Sequence, residues 1–436
     1  MAISRTRIIS QSKALYVSPT GVYGNVSNRA ISGSGFMPKQ LHRVDTFSFD
    51  VDIAGGRQDV REFGQLARIG TITLGDLNPS FSFGYYLGDG ENEGNLGFMG
   101  TGLYAETASI TSVSDQFIKG ILEESPHKRE KNLFLLTVGE GEDAFACVNA
   151  AKDRATGKFS HTERAGHDVV SFGNCNFESY TVNFAVGEIP RVDIDGTAEN
   201  ITFDTGTSSG IYNPSLNAEG GRADTGQFML GAPSTGDMNV LVLRPEDVSL
   251  SFDTESFSFG GTNIGDMHVQ SASIEVPLSR TPIEALGSAK AVAKPLDFPI
   301  NVTLSVSALL KNFDDGQIDK ILTGAAGNET TNATLKVKGD DGAHRHIYRL
   351  NEAVMDSQGF SVGLDDNETI ELTFSSQIGG TNQTGQGFFY SGQSGKMSDV
   401  YVDRDGEDVS ADNTGISTTY LYQKYNTKAP YSSEDG

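Results

Sequence analysis

The chain has 436 residues, no tryptophan, 51 glycines and two cysteines, and its 57 acidic against 33 basic side chains give a formal net charge of −24. This length allows two or three domains with sizeable cores. The acidic excess disfavours binding to nucleic-acid phosphates and to anionic membrane surfaces. Residues 1–12 contain no apolar segment of signal-peptide length, and no apolar run reaches the roughly 18 residues that span a bilayer.

The predicted strands recur in the same order along two segments of the chain. The strand 14–19 matches 240–245 at an offset of 226 (245 minus 19), and 47–53 matches 272–278 at an offset of 225 (272 minus 47). Apolar and polar positions are in phase within each pair. These matches predict that two related β-rich units follow one another in the chain.

Further matches continue the series toward the C-terminus. The repeat-defining pairs are Arg57 with Arg280 and Gly64 with Gly287, both at 223 (280 minus 57, 287 minus 64). Later matches are Pro79 with Pro299, Leu136 with Leu335, and 178–184 with 368–374, where the offset has fallen to 190 (368 minus 178). An offset that only falls is what insertions in the loops of the first copy would produce.

The duplication divides the chain into four predicted segments. The first copy covers 1–190 and the second covers 237–380. A connector rich in Gly, Asp, Ser and Thr covers 191–236, and an acidic C-terminal extension covers 381–436.

Alternation with a period of two residues dominates both copies. Phe47, Phe49, Val51 and Ile53 point to one side of the predicted strand, with polar residues between them. Half-buried antiparallel strands are the expected result. One short helix per unit is predicted, at 114–123 and at 315–322. The predicted fold class is mainly β, with two tandem sandwich-like or barrel-like units.

An insertion distinguishes the first copy from the second. It spans about 88–111 and mixes glycines with apolar residues. Long loops in compact domains commonly serve binding, so this loop is expected to dock on a neighbouring molecule. The apolar residues expected to make that contact are Leu96, Phe98, Met99, Leu103 and Tyr104.

Motifs that could carry chemistry are few and incomplete. Asp204-Thr205-Gly206 and Asp224-Thr225-Gly226 resemble halves of an aspartic-protease site, but such a site needs one Asp from each lobe, and this pair lies within one connector. Asp403 and Asp405 could ligate calcium, although the loop is not a complete EF-hand, so solvated acidic turns are the simpler interpretation. His344 and His346 would share one face of an exposed strand with no third zinc ligand. We therefore predict no enzymatic activity, no metal and no cofactor.

The order of five segments resembles the major tail tube protein of long-tailed bacteriophages, in the variety with tandem tube domains. The segments are 14–19, 40–44, 47–51, 57–66 and 79–87. The resemblance is best over the first 90 residues and reaches the second copy through the internal repeat. It implies a β-sandwich-like unit with a flanking helix, whose inner sheet joins those of its neighbours into a continuous β-barrel channel.

The resemblance also implies an assembly and a set of partners. Three chains would form each ring, giving six quasi-equivalent units, and stacked rings would form the tail tube of a virion made in the host bacterial cytoplasm. The channel would hold the tape-measure protein and later pass double-stranded DNA without specific binding. Tail terminator or tip proteins would complete the tube, and no membrane is involved. The 88–111 loop would then make the ring-to-ring contact.

The residues predicted to face the channel are Asp50, Asp52 and Glu275, because their neighbours Phe49, Val51 and Ile274 must face a core. A negative wall would keep passing phosphates from adhering. An outer surface would satisfy the same alternation. The alternative function is a surface-displayed multi-domain β binding module, either a capsid decoration or an adhesin, because β chains rich in Gly, Ser, Thr and Asn often display binding loops.

Overall fold

The fold is taken from a computed structural model of the chain, which describes a defined set of residues. These are 13–19, 38–52, 57–73, 78–88, 90–98, 117, 121, 130–138, 148–152, 159–163, 167–205, 211–216, 227–228, 230, 243, 247–252, 258–259, 262–263, 268–286, 291, 293–309, 330–338, 344–361, 369–379, 385–392, 401–402, 408–409 and 422–423.

The described residues form one short helix and many β-strands, which confirms the predicted mainly β class. The helix α1 covers Glu91–Leu96. The strands, in chain order, are β1 Lys13–Pro19, β2 Lys39–Gln40, β3 Val44–Val51, β4 Arg57–Val60, β5 Gly70–Thr73, β6 Pro79–Tyr86, β7 Lys131–Val138, β8 Val148–Lys152, β9 Phe159–Glu163, β10 His167–Ala185, β11 Arg191–Thr197, β12 Asn200–Thr205, β13 Ile211–Tyr212, β14 Gln227–Phe228, β15 Val248–Phe252, β16 Ser258–Phe259, β17 Thr262–Asn263, β18 His268–Pro277, β19 Ile300–Leu309, β20 Thr331–Lys338, β21 His344–Ser361, β22 Thr369–Ile378, β23 Gly387–Gly392, β24 Tyr401–Val402, β25 Asp408–Val409 and β26 Tyr422–Gln423.

Fifteen of these strands belong to one antiparallel sheet. Its main path runs β15-β20-β21-β22-β19-β18-β10-β11-β6-β3, and β1, β2, β7, β12 and β23 branch from it. The two longest strands, β10 and β21, cause the branching. The first half of β10 pairs with β7 and β12, whereas its second half pairs with β11 and β18.

The same pairing order occurs in two units. In the first unit, β1-β7-β10-β12 forms one layer and β10-β11-β6-β3 forms the other. In the second unit, β15-β20-β21-β23 and β21-β22-β19-β18 repeat this arrangement. β10 pairs with β18, so the layers β10-β11-β6-β3 and β21-β22-β19-β18, called the inner layers below, form one continuous eight-stranded segment.

Backbone irregularities at matching positions show which residues of the two units are equivalent. Asn174 and Glu352 both have positive φ, 52° and 50°, and they are 178 residues apart (352 minus 174). Bulges follow in both long strands, between Phe177 and Ser179 and between Met355 and Ser357, again at an offset of 178 (355 minus 177). These independent features make the long strands β10 and β21 equivalent position by position.

The same register can be followed across the inner layers to the edge strands. In the first unit, the residues opposite one another on successive strands are Phe177, Gly196, Phe81 and Phe49. In the second unit, the corresponding row is Met355, Phe374, Leu304 and Ile274. Phe49 and Ile274 are therefore equivalent, at the offset of 225 (274 minus 49) that the sequence predicted for these strands.

Other matches predicted from the sequence need correction. The second-unit strand beside β20 is β15, so the counterpart of β1 is 248–252 and not 240–245. The counterpart of β10 is β21, so the match of 178–184 with 368–374 joined strands at different positions in the two units. Neighbouring strands of one sheet share a two-residue period, and the pattern alone did not tell them apart.

Two predicted domain boundaries also need correction. β11 and β12 are strands of the first unit, although they lie within the predicted connector 191–236. β23 pairs with β21 inside the second unit, although it lies within the predicted extension 381–436. These segments are rich in Gly, Ser and Thr, which a polar sheet face and close backbone packing accommodate as readily as a loop does.

The core lies between the two layers of each unit and continues from one unit to the other. Phe172 of the first layer packs against Phe81 of the second, with ring centroids 6.1 Å apart, and Phe252 packs against Phe374 in the second unit at 5.2 Å. Phe184 of the first unit contacts Tyr348 of the second at 6.2 Å. Among the described residues, no helix has the length and apolar character needed to cross a lipid bilayer.

Candidate assembly surfaces

The eight-stranded segment has one apolar face and one polar face. Ile194 and Ile274 each lie between two polar residues and are buried in the core, as is Phe83. The opposite face carries hydroxyl, amide and carboxylate groups in cross-strand rows, such as Asn183-Ser273-Ser305-Thr373. This division follows from the period of two that each strand shows.

Carboxylates are spread over the polar face, and a basic residue there is neutralised. Exposed acidic residues on it are Asp50, Asp195, Glu275 and Glu371. Arg191 donates to Asp45 at 2.8 Å and to Asp193 at 2.9 Å. Among the predicted channel-facing residues, Asp50 and Glu275 occupy equivalent positions on this face, and exposed Asp52 follows β3. The polar face is therefore negatively charged.

The eight-stranded segment ends in two half-paired strands. Among the described strands, β3 pairs only with β6, and residues 354–361 of β21 pair only with β22. Phe49 in β3 is 41% exposed, whereas its equivalent Ile274 is fully buried at 0% because β10 covers that side of β18. A half-paired strand presents backbone donors and acceptors to a further strand.

A hairpin with exposed apolar side chains projects from each unit. In the first unit, β4 and β5 pair between Arg57 and Thr73, and Gly64 adopts a φ of 99° near the tip. Phe63 and Leu66 at this tip are fully exposed, at 106% and 109%. Large apolar side chains grouped on an exposed tip are typical of interaction sites.

The second unit has an equivalent hairpin after β18. Its arms meet at Arg280 with Leu296 and at Ile283 with Ala293. Leu286 near its tip is 107% exposed. The Arg280 side chain donates to the Lys294 carbonyl at 2.8 Å and so braces the two arms, while Gly287 lies outside the described residues. The repeat in the sequence aligned these two hairpins but did not indicate that they are exposed surfaces. The available signal was Phe63 and Leu66 flanking the turn glycine Gly64.

The insertion of the first unit is partly buried inside the chain. Leu96 and Phe98 are 0% exposed and belong to the hydrophobic core, with Phe98 stacked on Phe117 at 4.9 Å. These two residues therefore cannot make the predicted ring-to-ring contact, because their side chains fill the space between the chain's own strands. Met99, Leu103 and Tyr104 lie outside the described residues, as do the predicted helices except Phe117 and Ile121.

Buried polar groups join α1 to both units. Tyr85 donates to Glu93 at 2.8 Å, and Tyr180 of the first unit and Tyr348 of the second are joined by a hydrogen bond of 3.2 Å between their hydroxyls. Burial raises the pKa of all three tyrosines, so their hydroxyls stay protonated and able to donate. This network holds the two units in one arrangement.

His346 occupies a buried site and not the exposed strand that the sequence predicted. Its Nδ1 lies 2.7 Å from the Tyr390 hydroxyl and its Nε2 lies 3.1 Å from the Gly88 carbonyl. Burial lowers its pKa to about 3. Both ring nitrogens are thus engaged in hydrogen bonds within the chain, which leaves neither for a metal.

The other candidate chemical motifs do not assemble into a site within the described part of the chain. Asp204 lies in β12, while Asp224, Asp403 and Asp405 fall outside the described residues. Over that described part, no group of three or more His, Cys, Asp or Glu side chains is placed to hold a metal ion.

Comparisons with known proteins give structural likenesses only. No known protein family and no curated protein matches the chain. The tail tube of SPP1 aligns at 16% identity and a TM-score of 0.25, over 41% of this chain and 98% of that one. The tail of an empty GTA particle aligns at 13% and 0.21, over 31% and 93%, and the baseplate of the anti-feeding prophage at 12% and 0.23, over 30% and 92%. At these scores the likenesses assign neither a family nor a function to this chain.

Proposed function

We propose that this chain is a virion structural protein that polymerises as stacked rings into the tail tube of a long-tailed bacteriophage. Three chains would form each ring, and each chain would supply two quasi-equivalent tandem units. The observation that carries the proposal is the eight-stranded segment, in which two units of the same pairing order join strand to strand and leave a half-paired strand at each end.

The relation between the two ends of the segment supports ring formation. One end is β3 of the first unit and the other is the second half of β21, so the two ends are different and complementary. Contacts of this head-to-tail kind close into a ring when the rotation allows it. Closure would pair every strand of the eight-stranded segment on both sides and remove the exposed edges of that segment.

The polar face would line the channel of such a ring. Asp50, Asp52 and Glu275 would then face the lumen together with Asp195 and the hydroxyl-bearing rows of the sheet. Carboxylates repel phosphates, so double-stranded DNA would pass without binding, after the tape-measure protein has left the channel. Tail terminator or tip proteins would close the ends of the tube.

The hairpins would join one ring to the next. Phe63, Leu66 and Leu286 are fully exposed in the single chain and would be covered in a stack. Burial of each side chain would contribute about 1.5–3 kcal/mol, and every ring would contribute three copies of each. Met99, Leu103 and Tyr104 stay predicted members of this contact, whereas Leu96 and Phe98 are excluded from it by burial.

The same hairpins favour a second candidate function. Exposed aromatic and aliphatic tips also suit a surface-displayed module that binds a ligand through its loops, as a capsid decoration or an adhesin does. The two functions differ in self-association, because a display module functions as a discrete particle.

Negative-stain electron microscopy of the purified protein tests the proposal. Rings and stacked tubes are expected at increasing protein concentration. Phe49→Lys should abolish rings while the chain stays folded by circular dichroism, because it places a charge at the sheet edge. Phe203→Lys is the matched control, since Phe203 is 69% exposed on β12, which belongs to neither the eight-stranded segment nor a hairpin. Dispersed single chains of the parent protein at every concentration would favour the display module.

A further inference from the structure

We infer that neighbouring chains join in the register of the junction that exists inside each chain, so that Gly359 of one chain lies opposite Asp50 of the next. The inference rests on the proposed function and assigns the partner surface residue by residue. The partner strand on β3 is the second half of β21 from another copy of the chain.

The junction within the chain supplies the template. β10 and β18 pair antiparallel over seven successive positions, from Ser179 with Pro277 to Ala185 with Ser271. Thr181 lies opposite Glu275 on the polar face, and Val182 lies opposite Ile274 toward the core. The second half of β10 in the first unit therefore pairs with β18, the edge strand of the second unit.

Equivalence between the units transfers this template to the chain ends. The shared positive-φ residue and the shared bulge place β21 at an offset of 178 from β10, so Thr181 corresponds to Gly359 (181 plus 178). The pairing across the inner layers places β18 at 225 from β3, so Glu275 corresponds to Asp50 (275 minus 225). By the same arithmetic, Ser179 opposite Pro277 predicts Ser357 opposite Asp52.

The exposure of Phe49 indicates that β3 can accept a further strand on its unpaired side. Phe49 is 41% exposed where Ile274 is fully buried, although the two occupy the same position in their units. Gly359 and Asp50 are both exposed. A strand added to β3 in the template register would cover Phe49 as β10 covers Ile274.

Alternation along the strands restricts the possible registers. A slip of one residue would turn the core-facing positions toward the polar face, which the burial of the apolar side excludes. A slip of two residues preserves the faces and would instead place Ser48 or Asp52 opposite Gly359. The experiment must therefore separate Asp50 from its neighbours two residues away.

Disulfide trapping makes that separation. Asp50→Cys and Gly359→Cys in one chain should link assembled chains under mild oxidation into covalent dimers and trimers on denaturing gels. A Cβ at Gly359 comes no closer than 3.8 Å to the Glu371 side chain, so the substitution fits. Disulfide formation by this pair should be at least about tenfold faster than by Ser48→Cys with Gly359→Cys. Cross-strand disulfides need a Cα separation of roughly 4.4–6.8 Å, which the predicted register gives to the Asp50 pair and not to the Ser48 pair.

Matched variants control for folding and reactivity. Thr181→Cys with Glu275→Cys has the template geometry inside one chain and should give an intrachain disulfide with no covalent dimer. Asp52→Cys with Ser357→Cys samples the predicted register at a second position and should also link chains. The parent protein, with Cys147 and Cys175 only, sets the background.

The outcomes separate this inference from the proposed function. Rings by electron microscopy with linking at the Ser48 pair, or at neither register pair, would overturn the register and leave the tube proposal standing. Absence of any self-association in the parent protein would overturn both. Rings together with rapid linking at the Asp50 and Asp52 pairs are the expected result.

Discussion

Two buried histidines make the stability of the chain depend on pH. Burial lowers the pKa of His346 to about 3, and burial together with nearby Arg43 lowers that of His42 to about 4. The two ring nitrogens of His346 form hydrogen bonds with the Tyr390 hydroxyl and the Gly88 carbonyl. In the unfolded chain both imidazoles have a pKa near 6.5.

The free energy of unfolding should therefore fall as the pH drops below 6.5. In that range the unfolded state binds protons that the folded state excludes, at a cost of about 1.4 kcal/mol per pH unit for each histidine. Urea unfolding between pH 6.5 and 4.5 should show a shallower pH dependence for His346→Gln than for the parent protein. His268→Gln is the control, because His268 is exposed at the start of β18. Equal slopes for parent and His346→Gln would contradict the assignment.

Local pattern predicted some residues well and others poorly. The exposed positions of Asp50 and Glu275 follow from alternation with apolar neighbours, which is a property of a single strand. His346 and Glu93 are buried because Tyr390, Tyr85 and distant strands enclose them. No short segment of sequence contains those contacts, so burial of such polar residues depends on the tertiary fold.

Among the elements, the two hairpins are exposed at equivalent positions of the repeat. Each follows the edge strand of its unit, and each carries a fully exposed apolar tip. Their equal placement in both units means that one chain presents two similar contacts. This arrangement suits a stack of rings, in which the same contact recurs around the axis.

Polar substitution at the tips should separate ring formation from stacking. The variant Phe63→Ser, Leu66→Ser, Leu286→Ser should form single rings and lose tubes, because it removes the apolar area that stacking would bury. The control Phe203→Ser alters an exposed apolar residue on β12, which belongs to neither hairpin nor the eight-stranded segment, and should stack normally. Tube lengths in negative stain provide the measurement. Tubes as long as those of the parent protein would show that the hairpins do not join the rings.

The registers of whole strands were only partly readable from sequence. The offset of 225 between β3 and β18 was predicted, since both strands have a strong alternating pattern. The position of β15 was not, because the apolar segment 240–245 resembles β1 more closely than Val248–Phe252 does. Only the pairing with β20, more than 80 residues later, distinguishes the two candidates.

For the whole molecule, the proposed function means that one chain would supply two positions of a ring. The junction of β10 with β18 is the internal copy of the proposed contact between chains. Fusion of two units would make half of the ring contacts intramolecular, which would lower the entropic cost of assembly. It also allows the two units to differ, as the buried insertion around α1 in the first unit shows.

Native mass spectrometry of the hairpin variant Phe63→Ser, Leu66→Ser, Leu286→Ser would count the chains in a ring, because single rings can be weighed without stacking. Three chains of 46.6 kDa give an expected ring of 139.8 kDa (3 times 46.6). A single species of 46.6 kDa at all concentrations, or a ring of six chains, would contradict the claim that each chain fills two positions of a closed ring.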